Sequence, residues 1–512
     1  MRPTIFGLEK EYGLYPDFFL FGAFGRTLLF NCASRYIQRL KGQSLSHDFW
    51  LTNAARLYMD SGDHVEYSSP ECVISRHVLV WQKAGDEILM DMIDGANDLL
   101  WQMLSANDAK QLLDEQTYYK LKHYIAERHL EPASEIIRLY RNSIDIRERN
   151  TYGEHENHLV RRECVNSMGA LYNFRGILLA HLISRIIWQG SGIVYWDSDH
   201  WEYRLSQREF CTGSLVLSAT TGHLKPLINE RDEPHACPEK WYRLHIVGGD
   251  ANMAEIPSRL KFGTTALVIQ MIEDGYFRGK NFDFDYRADD MRIAYRAFSR
   301  DMTLRKAYKF PDGNYSALDL QWMLLERAEE YVNKGGAERT PDIQWTLEWW
   351  RKILDLVSAD NPHEKLARYT DVSAKLFLIL RDMEKYGYSW RSNPDHSIEI
   401  IKKDGSRQSM TVAARLWFWE LEYHRLSRTR GIFQKLSMER VVSPDEIAFA
   451  KENPPYGTRA ETRRKYCDYL SESGGSVDVV NWDLVKGQDN RGNVIEFLLS
   501  DPFAKFENPE VF

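Results

Sequence analysis

Two short stretches, "GLEKEYG" near the start of the chain and "ARLYMDSGDHVEY" further on, alternate apolar and polar residues with a period of two. This period is typical of β-strands. Residues i and i+2 of a strand share a face, so Glu9 and Glu11 point the same way. The first stretch, residues 3–14, therefore predicts a strand that carries two carboxylates on one face.

The second stretch predicts two further strands joined by a turn. Arg56, Tyr58 and Asp60 share one face, and Glu66 and Glu71 follow shortly after them. If these strands are neighbours of the first, several carboxylates meet on one surface, where like charges raise one another's pKa. A divalent cation would remove that penalty, and an oxygen-rich site suits Mg²⁺ or Mn²⁺ with nucleotide phosphates completing the coordination. Solvated carboxylates on an edge strand are the alternative interpretation.

Two more polar clusters could contribute to such a site. "TYGEHENHLV" places His155 beside Glu156 and His158, so His155 is either a metal or phosphate ligand or a structural histidine. The arginines of the polar segment over residues 229–255 could clamp a phosphate or carboxylate, or belong to an internal ion-pair network. The sequence contains no Walker A motif and no GxGxxG loop, so a bound nucleotide would be held by carboxylates through a metal.

The remaining patterns predict an α+β fold in which an antiparallel sheet is flanked by helices. Helical spacing predicts helices over residues 18–41, 76–106, 168–189, 264–275, 316–334, 342–358 and 372–387. Beyond residues 427–432 the sequence becomes a polar, helix-forming segment. We therefore expect a catalytic domain over residues 1–427 and a small C-terminal domain over residues 428–512.

Composition excludes several classes of protein. The chain has 512 residues, 43% of them hydrophobic, and a net charge of −8, which is ordinary for a soluble globular protein and indicates no nucleic-acid partner. No apolar run approaches the ~20 residues that span a bilayer, and charged residues interrupt the N-terminus where a signal peptide would be apolar. The six cysteines are scattered, as is typical of free thiols in a reducing compartment. We expect a cytoplasmic protein without a membrane partner.

Several motifs together resemble the family of Pup ligases and Pup deamidases/depupylases, which is related to glutamine synthetase. They are "GLEKEYG", "NAARLYMDSGDHVEYSSPEC", "SQRE", "NERDEPHA", "YRLHIVGGDANMAE", "KFGTTALV", "RGIF" and "SDPF". The motifs occur in order from about residue 4 to about residue 505. The resemblance implies a glutamine synthetase-like curved antiparallel sheet that cradles the substrates, flanked by helices, and a small C-terminal domain that closes over the nucleotide.

Carried over position by position, the resemblance implies roles for individual residues. The implied metal ligands are Glu9, Tyr58 and Glu66, with Glu11 and His155 as further candidates on the metal side. The implied nucleotide contacts are Arg56, Ser69 and Trp482, with Arg208 and His245 lining the same cradle. Asp60 would be the catalytic aspartate. The family ligases carry threonine where this chain has Ser69.

The two branches of the family act in opposite directions, and the motifs favour the ligase. A ligase would use ATP and Mg²⁺ to join the C-terminal glutamate side chain of a small Pup-like modifier to lysines of protein substrates, through a γ-glutamyl phosphate. "RTRGIF" and the terminal "SDPF" resemble the ligases, whereas "LTN", "SSPEC" and "VWQKAG" resemble the deamidases. The alternatives are a deamidase/depupylase with ATP as cofactor, a small-molecule glutamate–amine ligase and a non-catalytic nucleotide-binding protein. Both a monomer and a dimer are compatible with the sequence.

Overall fold

The computed structural model describes residues 4–15, 28–32, 48–60, 62–132, 134–145, 150–165, 168–218, 225–277, 288–311, 313–402 and 405–505. Of the helix predicted over residues 18–41, residues 28–32 are helical and the rest lies outside the described residues. None of the helices in the described ranges is long and apolar enough to cross a membrane. The six cysteines all lie in the described ranges and form no disulfide bond.

One large sheet carries the predicted site residues. The strands of the chain are β1 (Phe6–Tyr15), β2 (Asp48–Trp50), β3 (Arg56–Met59), β4 (Val65–Ser68), β5 (Arg138–Tyr140), β6 (Glu154–Arg161), β7 (Ile193–Asp197), β8 (His200–Arg204), β9 (Thr212–Leu217), β10 (Lys225–Asn229), β11 (Trp241–Ile246), β12 (Tyr308–Phe310), β13 (Gly313–Tyr315), β14 (Ser397–Ile401), β15 (Arg407–Thr411), β16 (Arg425–Leu426), β17 (Ser476–Asn481), β18 (Leu484–Gln488) and β19 (Val494–Leu498). The large sheet has the order β2-β3-β4-β1-β6-β11-β10-β9, and β5 pairs with both β1 and β16.

The α+β class is confirmed, but the sheet is mixed and not wholly antiparallel. Strands β9 and β10 run parallel, with an irregularity between Lys225 and Pro226. Pro226 has no N–H to donate and β10 lies between β11 and β9, so the proline is accommodated at this irregularity of the ladder. An alternating pattern sets the face of a strand and not its direction, which is why the sequence did not reveal this pair.

The helices confirm most of the predicted ranges. They are α1 (Ser75–Ser105), α2 (Ala109–Leu112), α3 (Glu115–Glu127), α4 (Met168–Ser184), α5 (Ile186–Gln189), α6 (Gln207–Cys211), α7 (Glu255–Glu273), α8 (Ala288–Arg300), α9 (Ala317–Asn333), α10 (Pro341–Ser358), α11 (Pro362–Leu366), α12 (Asp371–Tyr386), α13 (Val412–Glu422), α14 (Pro444–Glu452) and α15 (Arg459–Glu472). Helix α7 begins well before the predicted residue 264. Pro257 lies in its first turn, where a helix tolerates proline because that N–H would have no intrahelical partner.

One face of the sheet is buried beneath helices, which leaves the other face for the site. Helix α1 approaches β4 so closely that a Cβ on Gly85 would lie 2.6 Å from the Tyr67 ring. From β1, the Tyr12 hydroxyl donates to Asp86 of α1 at 3.0 Å. The burial of β1 alternates from Phe6 to Tyr12, so Glu9 and its i+2 neighbour lie on the side away from α1.

The C-terminal segment packs against the β2 edge of the large sheet. Its apolar cluster joins Trp50 of β2 to residues of α15, β17 and β18 and to Leu499. Strand β16, which ends at Leu426, still pairs with β5 of the large sheet. The domain boundary between residues 427 and 428 stays a prediction.

Candidate active site

The strand register places the predicted residues on one face of the sheet. Strand β1 lies between β4 and β6, so Glu9 is opposite His155 and Glu11 is opposite Glu66. On the next strand, Tyr58 is also opposite Glu66. Directly opposed residues in an antiparallel pair share a face. The prediction that the first three strands are neighbours is therefore confirmed.

These side chains line an open cavity of about 620 Å³. The predicted site residues that line it are Glu9, Glu11, Arg56, Tyr58, Asp60, Glu66, His155, Arg208, His245 and Trp482. Ser69 lies instead in a smaller, mostly apolar pocket next to it. Glu9, Arg243 and Trp482 line both spaces. The roles assigned to these residues stay predictions.

Three basic side chains converge on Glu9. Arg243 donates to Oε1 at 2.7 Å, and His155 Nδ1 and His245 Nε2 lie 3.2 Å and 3.3 Å from Oε2. Burial raises the pKa of Glu9, but the charges of Arg243 and His245 and the histidine hydrogen bonds outweigh it and hold the pKa well below its usual range. Glu9 is therefore an anion in the free protein.

His245, whose predicted nucleotide contact stays a prediction, lies beside residues predicted to bind the metal. It is within 4.8 Å of Glu9 and His155, close enough for the three to share one cation. Its Nε2 is buried and faces Glu9 Oε2 at 3.3 Å. Burial and the charge of Arg243 lower its pKa to about 3, so His245 is neutral near pH 7 and can accept a cation or a donor.

His64 is a site residue that the sequence reasoning missed. Its Nδ1 lies 3.2 Å from Glu11 Oε2 and 3.3 Å from Asp60 Oδ2. Burial lowers the pKa of His64, but the hydrogen bonds to Asp60 and Glu11 outweigh it and raise the pKa to about 9. The signal was available in "DSGDH", where His64 follows Asp60 by four residues.

Asp60 is held by the turn that follows β3. Its Oδ1 accepts the backbone N–H groups of Gly62 at 2.8 Å and His64 at 2.6 Å. Glu11 is held similarly, because it accepts the N–H of Gly153 at 2.8 Å. Burial raises the pKa of Glu11, but the His64 hydrogen bond and the charges of both nearby histidines bring it to about 2. Both carboxylates are thus fixed in position before any substrate binds.

Glu66 is the carboxylate of this site whose ionised form is disfavoured. It accepts a short hydrogen bond from the Tyr58 hydroxyl and is 5% exposed. Burial and then the charges of Glu9 and Glu11 raise its pKa well above the usual range. A divalent cation would relieve this repulsion, and Glu9, Tyr58 and Glu66 offer the oxygen ligands that Mg²⁺ prefers. The residues present therefore fit the metal that the family resemblance implies.

Two arginines with predicted nucleotide contacts already have protein partners. Arg56 donates to Asp48 at 2.8 Å and 2.5 Å, and its guanidinium lies 4.8 Å from the Tyr58 ring centre. Arg208 is 2% exposed and donates to the Val247 carbonyl at 2.8 Å, while its Nε has no partner among the described residues. Arg208 therefore retains a donor for a ligand, whereas Arg56 would have to share its donors with Asp48.

Ser69 and Trp482 lie at the junction of the cavity and the smaller pocket. The Ser69 hydroxyl accepts the Leu8 N–H at 3.0 Å and donates to the Pro70 carbonyl at 3.0 Å. Trp482 packs edge-on against Trp50, with ring centres 5.0 Å apart. The hydroxyl of Ser69 is thus engaged with backbone, and Trp482 brings the C-terminal segment to the site.

The cavity is electrostatically divided. Most of the carboxylates lie on the β1, β3 and β4 side, together with Arg56. Arg208, Lys225, Arg231 and Arg243 lie on the β9 to β11 side and on α6, together with Glu233. A cation is stabilised at one end and an anion at the other. The arrangement suits a substrate that carries phosphate or carboxylate groups beside a fixed aspartate.

Comparison with known proteins places this arrangement in a family. The sequence model described as "Pup-ligase protein" matches residues 33–486. A "Pup--protein ligase" of Actinosynnema mirum is 33% identical over 512 residues, which cover 98% of this chain and 97% of the relative. A protein of the same name from Mycobacterium tuberculosis (strain ATCC 25177 / H37Ra) is 32% identical over 510 residues, which cover 98% of this chain and 97% of the relative.

Solved structures agree with the sequence relatives. The complex between the prokaryotic ubiquitin-like protein Pup and its ligase PafA matches with a TM-score of 0.75 and 25% identity, covering 99% of this chain and 91% of that chain. PafA in complex with ADP matches with a TM-score of 0.68 and 26% identity, covering 92% and 89%. The resemblance drawn from the sequence motifs is confirmed, and the chain belongs to the Pup-ligase protein family.

Proposed function

We propose that this chain is an ATP-dependent ligase that joins the C-terminal glutamate side chain of a small Pup-like modifier to substrate lysines through an isopeptide bond. The proposal is carried by the cavity in which Asp60 lies beside crowded carboxylates, in a chain whose full-length relatives are named as ligases. The solved relatives hold Pup in one case and ADP in the other, which supports a protein modifier and an adenine nucleotide as substrates. The same names favour a ligase over a depupylase.

In the first proposed step, the γ-phosphate of ATP passes to the side-chain carboxylate of the modifier's terminal glutamate. The products are ADP and a γ-glutamyl phosphate. Mg²⁺, when bound, would neutralise phosphate charge during this transfer. We assign Glu9, Tyr58 and Glu66 as its ligands. Arg208, with its unpartnered Nε, is placed to donate to an anionic oxygen of either substrate.

In the second step, Asp60 takes a proton from the ammonium of a substrate lysine. The free amine attacks the γ-carbonyl carbon, the isopeptide bond forms and phosphate leaves. A free lysine has a pKa of about 10.4, so a base at the site is needed near neutral pH. The backbone N–H groups of Gly62 and His64 hold Asp60 in place for this transfer. A positioned general base contributes about 10²–10⁴-fold to rate.

The experiment that tests the proposal is conjugation by an Asp60→Asn variant, assayed with the modifier, a lysine-bearing protein and ATP–Mg²⁺. We expect the rate to fall by about 10²-fold or more, with ADP binding within a few-fold of wild type. Asp63→Asn is the matched control, because Asp63 lies exposed in the same turn. Conjugation by Asp60→Asn at the wild-type rate would show that Asp60 is not the base.

The stoichiometry of ADP release separates the proposed function from its alternatives. A ligase releases one ADP for each isopeptide bond formed. Cleavage of a modified protein without matching ADP release would identify a depupylase instead. ADP release with free glutamate and small amines, but not with the modifier, would identify a small-molecule ligase. Nucleotide binding without any turnover would identify a binding protein.

A further inference from the structure

A buried cluster of one carboxylate and two arginines joins the C-terminal segment to the large sheet. Arg459 Nε donates to Glu71 Oε1 at 2.7 Å, and Arg463 donates to the same oxygen. Glu71, Arg459 and Arg463 are 8%, 4% and 1% exposed. Burial raises the pKa of Glu71, but the two guanidinium charges outweigh it and lower the pKa. The cluster is an ion pair in which both arginines depend on one anion.

Arg459 also ties together two further segments. Its Nη1 donates to the His235 carbonyl at 2.5 Å and to the Leu499 carbonyl at 2.8 Å. Its backbone N–H donates to the Pro502 carbonyl at 2.8 Å. One side chain therefore links the end of β4, the loop before β11 and the tail after β19. Glu71, His235 and Pro502, one from each of these segments, line the smaller pocket with Arg459.

Arg463 contacts Trp482, which lines the same pocket. Its guanidinium lies 4.5 Å from the Trp50 ring centre and 4.9 Å from the Trp482 ring centre. It also donates to the carbonyls of Ala54 at 3.2 Å and Trp482 at 3.3 Å. Glu71 therefore holds Arg463, and Arg463 in turn holds Trp482 in position.

We infer that Arg459 is a positioning residue, which assembles the smaller pocket and so sets the affinity for the ring system of the nucleotide. The inference rests on the proposed function. The pocket is mostly apolar and opens to the charged cavity at Glu9 and Arg243. The phosphates of ATP require the charged cavity. The planar base of ATP would then occupy the adjoining apolar pocket. Arg459 acts through the three segments that it joins and takes no part in the chemical steps.

The test is ADP binding by Arg459→Met, measured by titration calorimetry with Mg²⁺, together with steady-state conjugation. We expect Kd for ADP and KM for ATP to rise about tenfold or more, the scale of one lost charge-assisted hydrogen bond. At saturating ATP, kcat stays within about twofold and KM for the modifier does not change. Lys465→Met on the same helix is the control, because Lys465 pairs with Glu461 and points away from the cluster.

Two further variants keep the inference falsifiable if Arg459→Met fails to fold. Arg459→Lys keeps the charge beside Glu71 but lacks the fork that reaches two carbonyls, so its Kd for ADP should lie between wild type and Arg459→Met. Glu71→Gln removes the shared anion and should weaken ADP binding in the same direction. Unchanged ADP binding in both variants would overturn the inference, as would a lower kcat with unchanged affinity. Wild-type protein that binds ADP without forming conjugates would refute the proposed function alone.

Discussion

Substitution of Glu154 by glutamine tests whether the buried face of the sheet depends on paired charges. Glu154 is on β6, next to His155 but on the opposite face, and is 0% exposed. It accepts hydrogen bonds from Arg141 Nε at 3.1 Å and Nη2 at 2.6 Å, and from Lys261. Arg141 also pairs with Asp86 at 2.6 Å. Glutamine keeps the volume of Glu154, removes its charge and replaces one acceptor oxygen with an NH2 donor.

The expected loss of stability follows from the buried cations that the substitution leaves without their anion. Lys261 and Arg141 are both 0% exposed, so removing their shared anion strands buried positive charge, at about 3–5 kcal/mol. Unfolding entropy of about 2.1 cal/mol/K per residue amounts to about 1 kcal/mol/K for a chain of this length. The melting temperature should therefore fall by about 3–5 °C.

Differential scanning calorimetry at pH 7 measures this shift. Glu399→Gln is the matched control, because Glu399 makes the same kind of ion pair with Arg407 at 2.9 Å but on an exposed hairpin. Exposed pairs contribute about 0–1 kcal/mol, so its melting temperature should change by about 1 °C or less. Glu154→Gln with Lys261→Met should recover part of the loss, since it removes one stranded charge. A shift in Glu154→Gln no larger than in the control would refute the reasoning.

Two titrating groups of the site give further predictions. Folding raises the pKa of Glu66 above its ordinary 4.5, so its contribution to stability is complete below pH 4.5 and is lost as pH rises. Without Mg²⁺, Glu66→Gln should have a flatter dependence of melting temperature on pH than wild type, and parallel curves would contradict this. The pKa of His64 is about 9 against an ordinary 6.5, so its stabilisation is complete below pH 6.5 and is lost through pH 9. The melting temperature of His64→Gln should therefore lie below that of wild type by a difference that shrinks from pH 6.5 to pH 9. A constant difference would rule out the ion pairs.

The site was predictable to the extent that it depends on strand periodicity. The i, i+2 rule put Glu9 with Glu11, and Tyr58 with Arg56 and Asp60, on shared strand faces. The register shows that Glu9, Glu11, Tyr58 and Glu66 lie on neighbouring strands, with Glu66 opposite both Glu11 and Tyr58. The same rule does not predict which partner a side-chain hydroxyl bonds to. The expected contact of Ser69 with ATP stays a prediction, whereas its hydrogen bonds to the backbone of Leu8 and Pro70 could not be read from the strand pattern.

Strand β6 shows where the periodic signal fails. Its sequence carries charged or histidine residues on both faces, so a polar cluster over residues 151–160 did not reveal which side is buried. The structure buries Glu154 and Glu156, and Glu156 pairs with Arg185 from α4's C-terminal end at 3.2 Å. The partners come from distant parts of the chain, and Arg459 and Glu71 are similarly remote in sequence. No local pattern encodes such a contact.

The two faces of the sheet distinguish structural charges from ligand-binding charges. On the buried face, burial raises the pKa of Glu156, but the charge of Arg185 and the hydrogen bonds of His158 and Arg185 bring it to about 2, so this carboxylate is compensated by the protein itself. On the open face, burial and then the charges of Glu9 and Glu11 raise the pKa of Glu66. Like charges left uncompensated cost free energy in the free protein. A proton or a bound cation at the open face would return that free energy, so the crowding at Glu66 supports the proposed metal site independently of any relative.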